Sequence, residues 1–434
     1  MVKRIVMIGV LALSAAGEAS SYDVVVAGGG PAGIGAAYMA AKRGAKVLLL
    51  EKSGRLGGMA VQAMVSPFTC CTDNPRVSWI MSEIGIPETG AVDFSRTDVL
   101  AYDLLRKAGA EVLLHATVVG PTMEGCRVTG VEALCAEGRR TFSARAVIDA
   151  TGDGLVAAAA GVPYEMGRKG DGLVQPMSIM FTVGGIAPTR RVKCVSEAAA
   201  RRWKIGERSW EEIVQSEIAA GRLPPEVGVI RLYNGPTPNE NAVNATQVNR
   251  LFGVKSADLT EAEIVCRKQA QQVVDVLRRH VPGYEEAFIS RMPAVVGVRE
   301  TRRFEGVERL ETEDVLTGRR RANAIARSCS FEVDIHNPAG AGQAERHDTY
   351  ATGEARSVKP YDIPYGAIVP RKVEGLLFCG RCLSASHEAL ASCRVMGCAM
   401  ATGLGAGAAA AEAVRRGIPL RDVKVETLRL FERD

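Results

Sequence analysis

The feature that most constrains this chain is a glycine triplet set between an apolar strand and a small-residue helix. Residues 22–27 (YDVVVA) form a short β-branched run that predicts a buried parallel strand. Gly28-x-Gly30-x-x-Gly33 follows directly, and residues 31–43 are rich in alanine. Pro31 falls in the first turn of that predicted helix and Gly44 ends it. Residues 45–51 (AKVLLLE) are the next buried strand, closing on Glu51. In such a unit the first glycine permits a tight turn and the second admits a pyrophosphate close to the backbone. The third lets helix and strand pack closely. Pro31 and Ala32 open a helix whose N-terminus faces phosphate charge. Glu51 stands 23 residues after Gly28, where a carboxylate can accept hydrogen bonds from ribose hydroxyls. The register predicts a dinucleotide site.

NAD and FAD share this fingerprint, and three further features select FAD. Glu51-Lys52 runs on to Leu56-Gly57-Gly58-Met59, a second glycine pair suited to passing close to the pyrophosphate and ribityl. Ala150-Thr151-Gly152-Asp153 follows the apolar run 146–150 and makes another small-residue turn. Gly380-Arg381 ends a strand expected over 376–380, shortly before a Gly/Ala-rich helix expected over 394–416. The start of that helix, with Arg394, Met396, Gly397 and Cys398, is expected to point at the flavin and stabilise its reduced anion. Val118, on a strand expected over 111–119, completes the cofactor-contact candidates.

These segments, together with GVRETRRFEG, LETEDVLTGR, VDIHNPAG, IPYGAIVP and GRCLSASHEALASCRVMGCAMATGLGAG, carry a family likeness. The chain resembles the FAD-dependent oxidoreductases with a glutathione-reductase-like FAD domain, in particular a bacterial branch without one common substrate. The resemblance spans about 22–430. It implies non-covalent FAD and a substrate domain covering the flavin. The expected fold is α/β: a Rossmann-like three-layer FAD-binding domain with an inserted α+β substrate domain. Residues 21–174 and 365–434 are its two FAD-binding parts, and 175–364 the insertion. Where this chain departs from relatives, it excludes functions. No Cys-x4-Cys follows Gly57-Gly58, which excludes a disulfide reductase of the glutathione type. No second glycine fingerprint supplies a built-in NAD(P)H domain. Gly-Asp, usual at the last flavin strand, is Gly380-Arg381 here, and Arg381 is a candidate for the phosphates or ribityl.

The catalytic candidates are Arg299, Arg302, His336 and His387. Arg299, Arg302 and Arg303 form a fork suited to a carboxylate, with salt bridges to Glu300, Glu305 or Glu308 as the competing reading. His336 lies beside Asp334 in a predicted Asn-Pro loop, and a turn histidine competes with a general acid or base. His387 is expected in a loop near the flavin. Cys379-x-x-Cys382 and Cys393-x4-Cys398 have metal-like spacing, but Cys379 falls in a buried strand and Gly380 and Gly397 are needed for flavin, so no metal is expected. Cys70-Cys71 is a vicinal pair with buried or loop thiols as the default.

The expected function is oxidation of a small organic substrate, with FAD accepting a hydride at N5 and a separate acceptor reoxidising it. Two alternatives stand: a flavin-linked reductase of an unsaturated carboxylic acid, and an electron-carrying flavoprotein without turnover of its own. The basic runs at Arg302 and at 319–321 are too short for a nucleic-acid arm. Residues 1–20 carry Lys3 and Arg4 before an apolar run of signal-peptide type, too short to span a bilayer. Export is the favoured expectation. A cytoplasmic enzyme with an extended start is the alternative, which the eleven scattered cysteines support.

Overall fold

Alternation of side chains along β1 (Ser20–Ala27) dictates a strand covered on both faces. Val24 and Val26 enter one apolar cluster, while Val25 and Ala27 enter another. The computed structural model describes residues 20–432 apart from Cys71 and residues 342–357. The signal-like segment and Cys71 therefore lie outside the described residues. Helix α1 (Pro31–Lys42) leads to β2 (Val47–Leu50), and β3 (Glu111–Leu113) extends the sheet. β1 pairs in parallel with β2 and, on its other side, with β6 (Gly138–Asp149), giving a mixed α/β fold with a parallel sheet of Rossmann type. β4 (Thr117–Glu124) and β5 (Arg127–Cys135) join β6 as an antiparallel meander. Val118, Val128, Val131 and Phe142 of the meander share a cluster with Leu48 and Leu50 of the parallel sheet. Strand Leu376–Phe378 returns to pair in parallel with the end of β6.

Helix α1 lies against the long helix Met396–Arg416 with the two backbones almost in contact. A Cβ on Gly403 would stand 1.9 Å from the Ala32 carbonyl oxygen, and one on Gly407 would stand 2.1 Å from that of Ala36. Small residues at this seam are the reason for the glycine and alanine spacing of the last helix.

A second apolar cluster draws on residues 177–298. There, Arg231–Asn234, Asn241–Asn244, Met180–Gly184 and Phe288–Arg291 form an antiparallel sheet in that order. Helix Ser256–His280 packs its Ala262, Cys266, Ala270, Val273 and Leu277 into the same cluster. The core therefore divides at a different place from the expected 175–364 insertion. Leu310, Val315, Ile325 and Tyr361 pack with the dinucleotide unit.

Local expectations shift for physical reasons. The apolar run 146–150 is the end of a longer β6, which begins in the meander. Helices Glu197–Arg202 and Trp210–Ala219 flank a tight hairpin turning at Gly206 (φ +65°), and Ser209 makes the capping box of the second helix. The long helix begins at Ser256, and within its first turns the Thr260 hydroxyl donates back to the Ser256 carbonyl. The helix expected over 394–416 is Met396–Arg416, and a separate short helix, His387–Cys393, precedes it at 93°. No single helix among the described residues is long and apolar enough to cross a membrane.

Candidate functional site

Three turns converge at the carboxyl ends of β1, β2 and β6. Gly28 takes φ +103° and donates its amide to the Leu50 carbonyl at 2.7 Å. A Cβ on Gly33 would stand 1.8 Å from the Gly28 carbonyl oxygen, so only glycine fits. Gly30 is the extended N-cap of α1, and Pro31 at the first position leaves the Ala32 and Gly33 amides as the open donors of the first turn. Glu51 is buried and accepts from the Gly29 amide at 2.7 Å and the Ser53 amide at 2.9 Å. Lys52, next to it, is exposed. The second turn lies on the first: the Gly57 amide donates to the Gly29 carbonyl, and a Cβ on Gly58 would stand 2.8 Å from the Gly30 Cα. Met59 opens onto this turn in the short helix Gly58–Ala60.

The third turn is organised by buried Asp149, which accepts from the Thr151 hydroxyl at 2.7 Å and the Ala157 amide at 2.8 Å. The Ala150 amide donates to Ala27, closing this turn on β1. Gly380 adds a fourth turn: its amide donates to the Thr402 hydroxyl at 3.0 Å, and a Cβ there would meet the Ala32 Cβ at 2.9 Å. The result is a bare backbone cradle around the start of α1, shaped for a phosphate chain. Val118 does not join the cradle through its side chain, which is buried beneath it in the meander.

Two expectations about the last helix need correction. The Gly397 amide already donates to the Thr69 carbonyl at 3.0 Å, so this N-terminus offers one donor fewer than expected. The Cys398 thiol turns into the core beside Cys329, where a shared hydrogen bond and burial push the Cys329 thiol up. Cys379 and Cys382 are also buried, and no cluster of metal-ligand type occurs among the described residues.

The segment 299–303 connects this cradle to two groups of buried charge. Thr301 donates to Asp153 at 3.0 Å, and Arg381 reaches both, at 2.9 Å and 2.8 Å, over Gly152. Arg302 also turns to this turn, donating to the Asp153 carbonyl and stacking on Tyr164. It is therefore not part of a fork with Arg299, and alternation along the strand Arg302–Phe304 turns Arg303 away from it as well. Arg303 is buried against Glu300, so for this residue the salt-bridge reading holds.

Arg299 turns the other way and donates to the Pro176 carbonyl at 2.7 Å. Burial and the nearby Arg394 guanidinium lower its pKa to about 9, although at neutral pH it keeps its proton. Arg394 donates to the Asp334 carboxylate at 3.1 Å, and its Nε is buried without a partner. His336 Nε2 stands 3.6 Å from the same carboxylate. Burial opposes ionisation of Asp334, but His336, Arg394 and Arg299 outweigh it and hold the carboxyl well below its usual range. Arg231, paired with Glu197, adds its field to Arg299. Among these described groups three guanidiniums face two carboxylates, and the excess is positive.

Burial and the Arg299 charge push His336 down to about 4, so it is neutral at ordinary pH. Its folded pKa lies below the unfolded value of about 6.5. The stability this difference contributes is fully present above pH 6.5 and is lost as pH falls toward 4. Over that window wild type should lose about 3 kcal/mol more than His336→Gln in urea unfolding. Parallel pH curves would show that His336 titrates normally.

His387 is not in a loop but opens the helix capped by Ser386. Its Nδ1 meets Glu300 at 2.9 Å. Sequence reasoning missed Glu300, Gln175 and Arg231 as site residues. Glu300 was visible only as a salt-bridge partner, and Gln175 and Arg231 carried no signal.

The model of the FAD dependent oxidoreductase family matches residues 23–430. A protein from the nifH2 5′ region of Methanosarcina barkeri is 32% identical over 186 residues, covering 35% of this chain and 93% of that one. Cinnamate reductase of Clostridium sporogenes is 32% identical over 166 residues, 37% of this chain and 24% of the enzyme. Digeranylgeranylglycerophospholipid reductase 1 of Methanopyrus kandleri is 34% identical over 152 residues, 30% of this chain and 40% of the enzyme. With the cradle fitting a dinucleotide and the family model spanning the chain, this protein binds FAD and belongs to the FAD-dependent oxidoreductases.

Proposed function

We propose that this flavoenzyme reduces the C=C bond of a small unsaturated carboxylic acid, with Arg299 and Arg394 holding the carboxylate. The observation that carries the reading is the buried excess of positive charge at Arg299 and Arg394. Two guanidiniums side by side in a dry site repel each other, and an anionic ligand removes that penalty. The unpartnered Arg394 Nε and the planar guanidinium of Arg299 suit a planar, two-oxygen acceptor. Asp334 fixes the orientation of Arg394, and neutral His336 stands beside the same carboxylate. Two of the relatives named above are reductases, which favours this direction over hydride acceptance from a CH–OH, CH–NH or CH–CH donor.

Bound FAD supplies the hydride chemistry. The chain supplies the charge that orients the acid, the backbone cradle that fixes the cofactor, and the buried walls that exclude water. Electrons come from a separate donor. The test is anaerobic. Protein reduced with dithionite should regain its oxidised flavin absorbance on addition of an α,β-unsaturated acid, and at least about tenfold more slowly with the matching neutral amide. Bleaching of oxidised flavin by hydroxy acids, with no reoxidation by unsaturated acids, would reverse the assignment.

A further inference from the structure

We infer that the proton delivered to the substrate passes through Nε2 of His387, and that Glu300 is the positioning residue that reserves this atom for it. The inference rests on the reading just given, because it supplies the second half of that reduction.

Glu300 is buried and uses both carboxylate oxygens. Oε1 accepts from His387 Nδ1 at 2.9 Å and from Arg303, and Oε2 accepts from the Gln175 amide at 3.0 Å. A carboxylate oxygen only accepts, so Nδ1 carries hydrogen whether the ring is neutral or charged. Nε2 is then the nitrogen that gains and loses the proton. That atom is buried and has no hydrogen-bond partner, and neither has Nε2 of Gln175, which is completely buried. Unpartnered buried polar atoms are rare in folded proteins. Both belong to residues hydrogen-bonded to the Glu300 carboxylate, Gln175 through its backbone amide and His387 through Nδ1, and a ligand beside Glu300 would complete His387 Nε2.

The place is continuous with the carboxylate site. Arg299 precedes Glu300 in the chain, and Gln175 Oε1 accepts the His336 amide at 3.3 Å. His336 is unsuited to proton delivery because it stays neutral down to about pH 4. His280 is committed to Glu217 at 2.9 Å. Among the described residues, the charged groups facing His387 are Glu300 and Arg303 from the one segment, with Glu165 behind Arg303 at 3.7 Å. Glu388, next on the helix, turns away to Thr312.

The step balances. Bound reduced FAD would supply the hydride that makes a C–H bond at one carbon of the double bond. The π pair forms the second C–H bond with the proton leaving Nε2, and the imidazolium becomes neutral imidazole. Solvent restores the proton before the next turnover.

The test uses the FAD-loaded protein with ¹⁵N-labelled histidine. In wild type the neutral His387 ring should carry its hydrogen on Nδ1. In Glu300→Gln the amide oxygen must stay toward Arg303, which only donates, and it accepts more weakly than a carboxylate, so the preference for Nδ1 should weaken and the Nε2–H form become populated. Turnover of the unsaturated acid should fall about 100-fold in kcat in both Glu300→Gln and His387→Gln, with KM changed only a few-fold. Glu300→Asp should restore the wild-type tautomer and part of kcat. A wild-type neutral ring protonated on Nε2 would overturn the inference, even if no variant folds. So would wild-type kcat in FAD-replete His387→Gln. Failure of wild type to reduce any unsaturated acid would instead strike the substrate assignment, and the tautomer measurement would stand apart from it.

Discussion

Gly33→Ala should purify without flavin. The added Cβ would stand 1.8 Å from the Gly28 carbonyl oxygen, and a Cβ has no rotamer by which to escape. Backbone must move, and each neighbouring piece is held. Gly28 is tied to Leu50 by its amide and pressed by the Ala150 carbonyl, which lies 2.6 Å from where its own Cβ would be. Helix α1 cannot retreat toward the last helix, because the Ala32 carbonyl already meets the space of Gly403. The first turn of α1 must therefore tilt, and its amides leave the phosphate position. Overpacking of this kind costs about 1–3 kcal/mol before any lost ligand bonds are counted. FAD affinity should fall by at least about 100-fold, read by fluorescence titration of stripped protein. Gly44→Ala is the control. A Cβ there meets nothing within 4 Å, so despite φ +82° the variant should cost about 1 kcal/mol and stay yellow. Full flavin content in Gly33→Ala would show that this turn does not hold the pyrophosphate.

Arg299→Met should separate substrate binding from stability. The side chain is buried beside Arg394, and its pKa of about 9 records the penalty of keeping that charge in place. Methionine fills similar space without charge. The free protein should unfold at the same or a higher temperature, because relief of repulsion offsets the lost bond to Pro176. Affinity for the acid should fall about 100-fold, the scale expected when one member of a buried charged pair is removed. The neutral amide should lose its disadvantage against the acid. A large drop in unfolding temperature with unchanged acid KM would make Arg299 a structural residue.

The cofactor half of this molecule was legible because backbone geometry dictates residue type. No side chain fits at Gly33, and a carboxylate at the end of β2 has amides to accept from. The turn at 149–154 was readable for the same reason, since Thr151 and Gly152 follow a strand that must end there. The short helix His387–Cys393 was not legible, because seven residues are too few to show a helical period before the last helix begins. The catalytic half was legible only in part. Asp334 and His336 are neighbours in sequence, but Arg299 and Arg394 reach them across long stretches of chain, so no local spacing predicts that contact. Arg302 and Arg303 look alike in sequence, but strand alternation gives one to Tyr164 and the other to Glu300. His387 was placed near the flavin by chain position, yet its partner Glu300 emerged only from the fold.

The most direct measurement is a crystal structure of the FAD-loaded protein with the saturated acid product bound. The expected result is a carboxylate within hydrogen-bond distance of both Arg299 and Arg394, with its neighbouring carbons between the flavin ring and Nε2 of His387. A product carboxylate seated elsewhere, with Arg299 and Arg394 still facing only protein groups, would contradict the account.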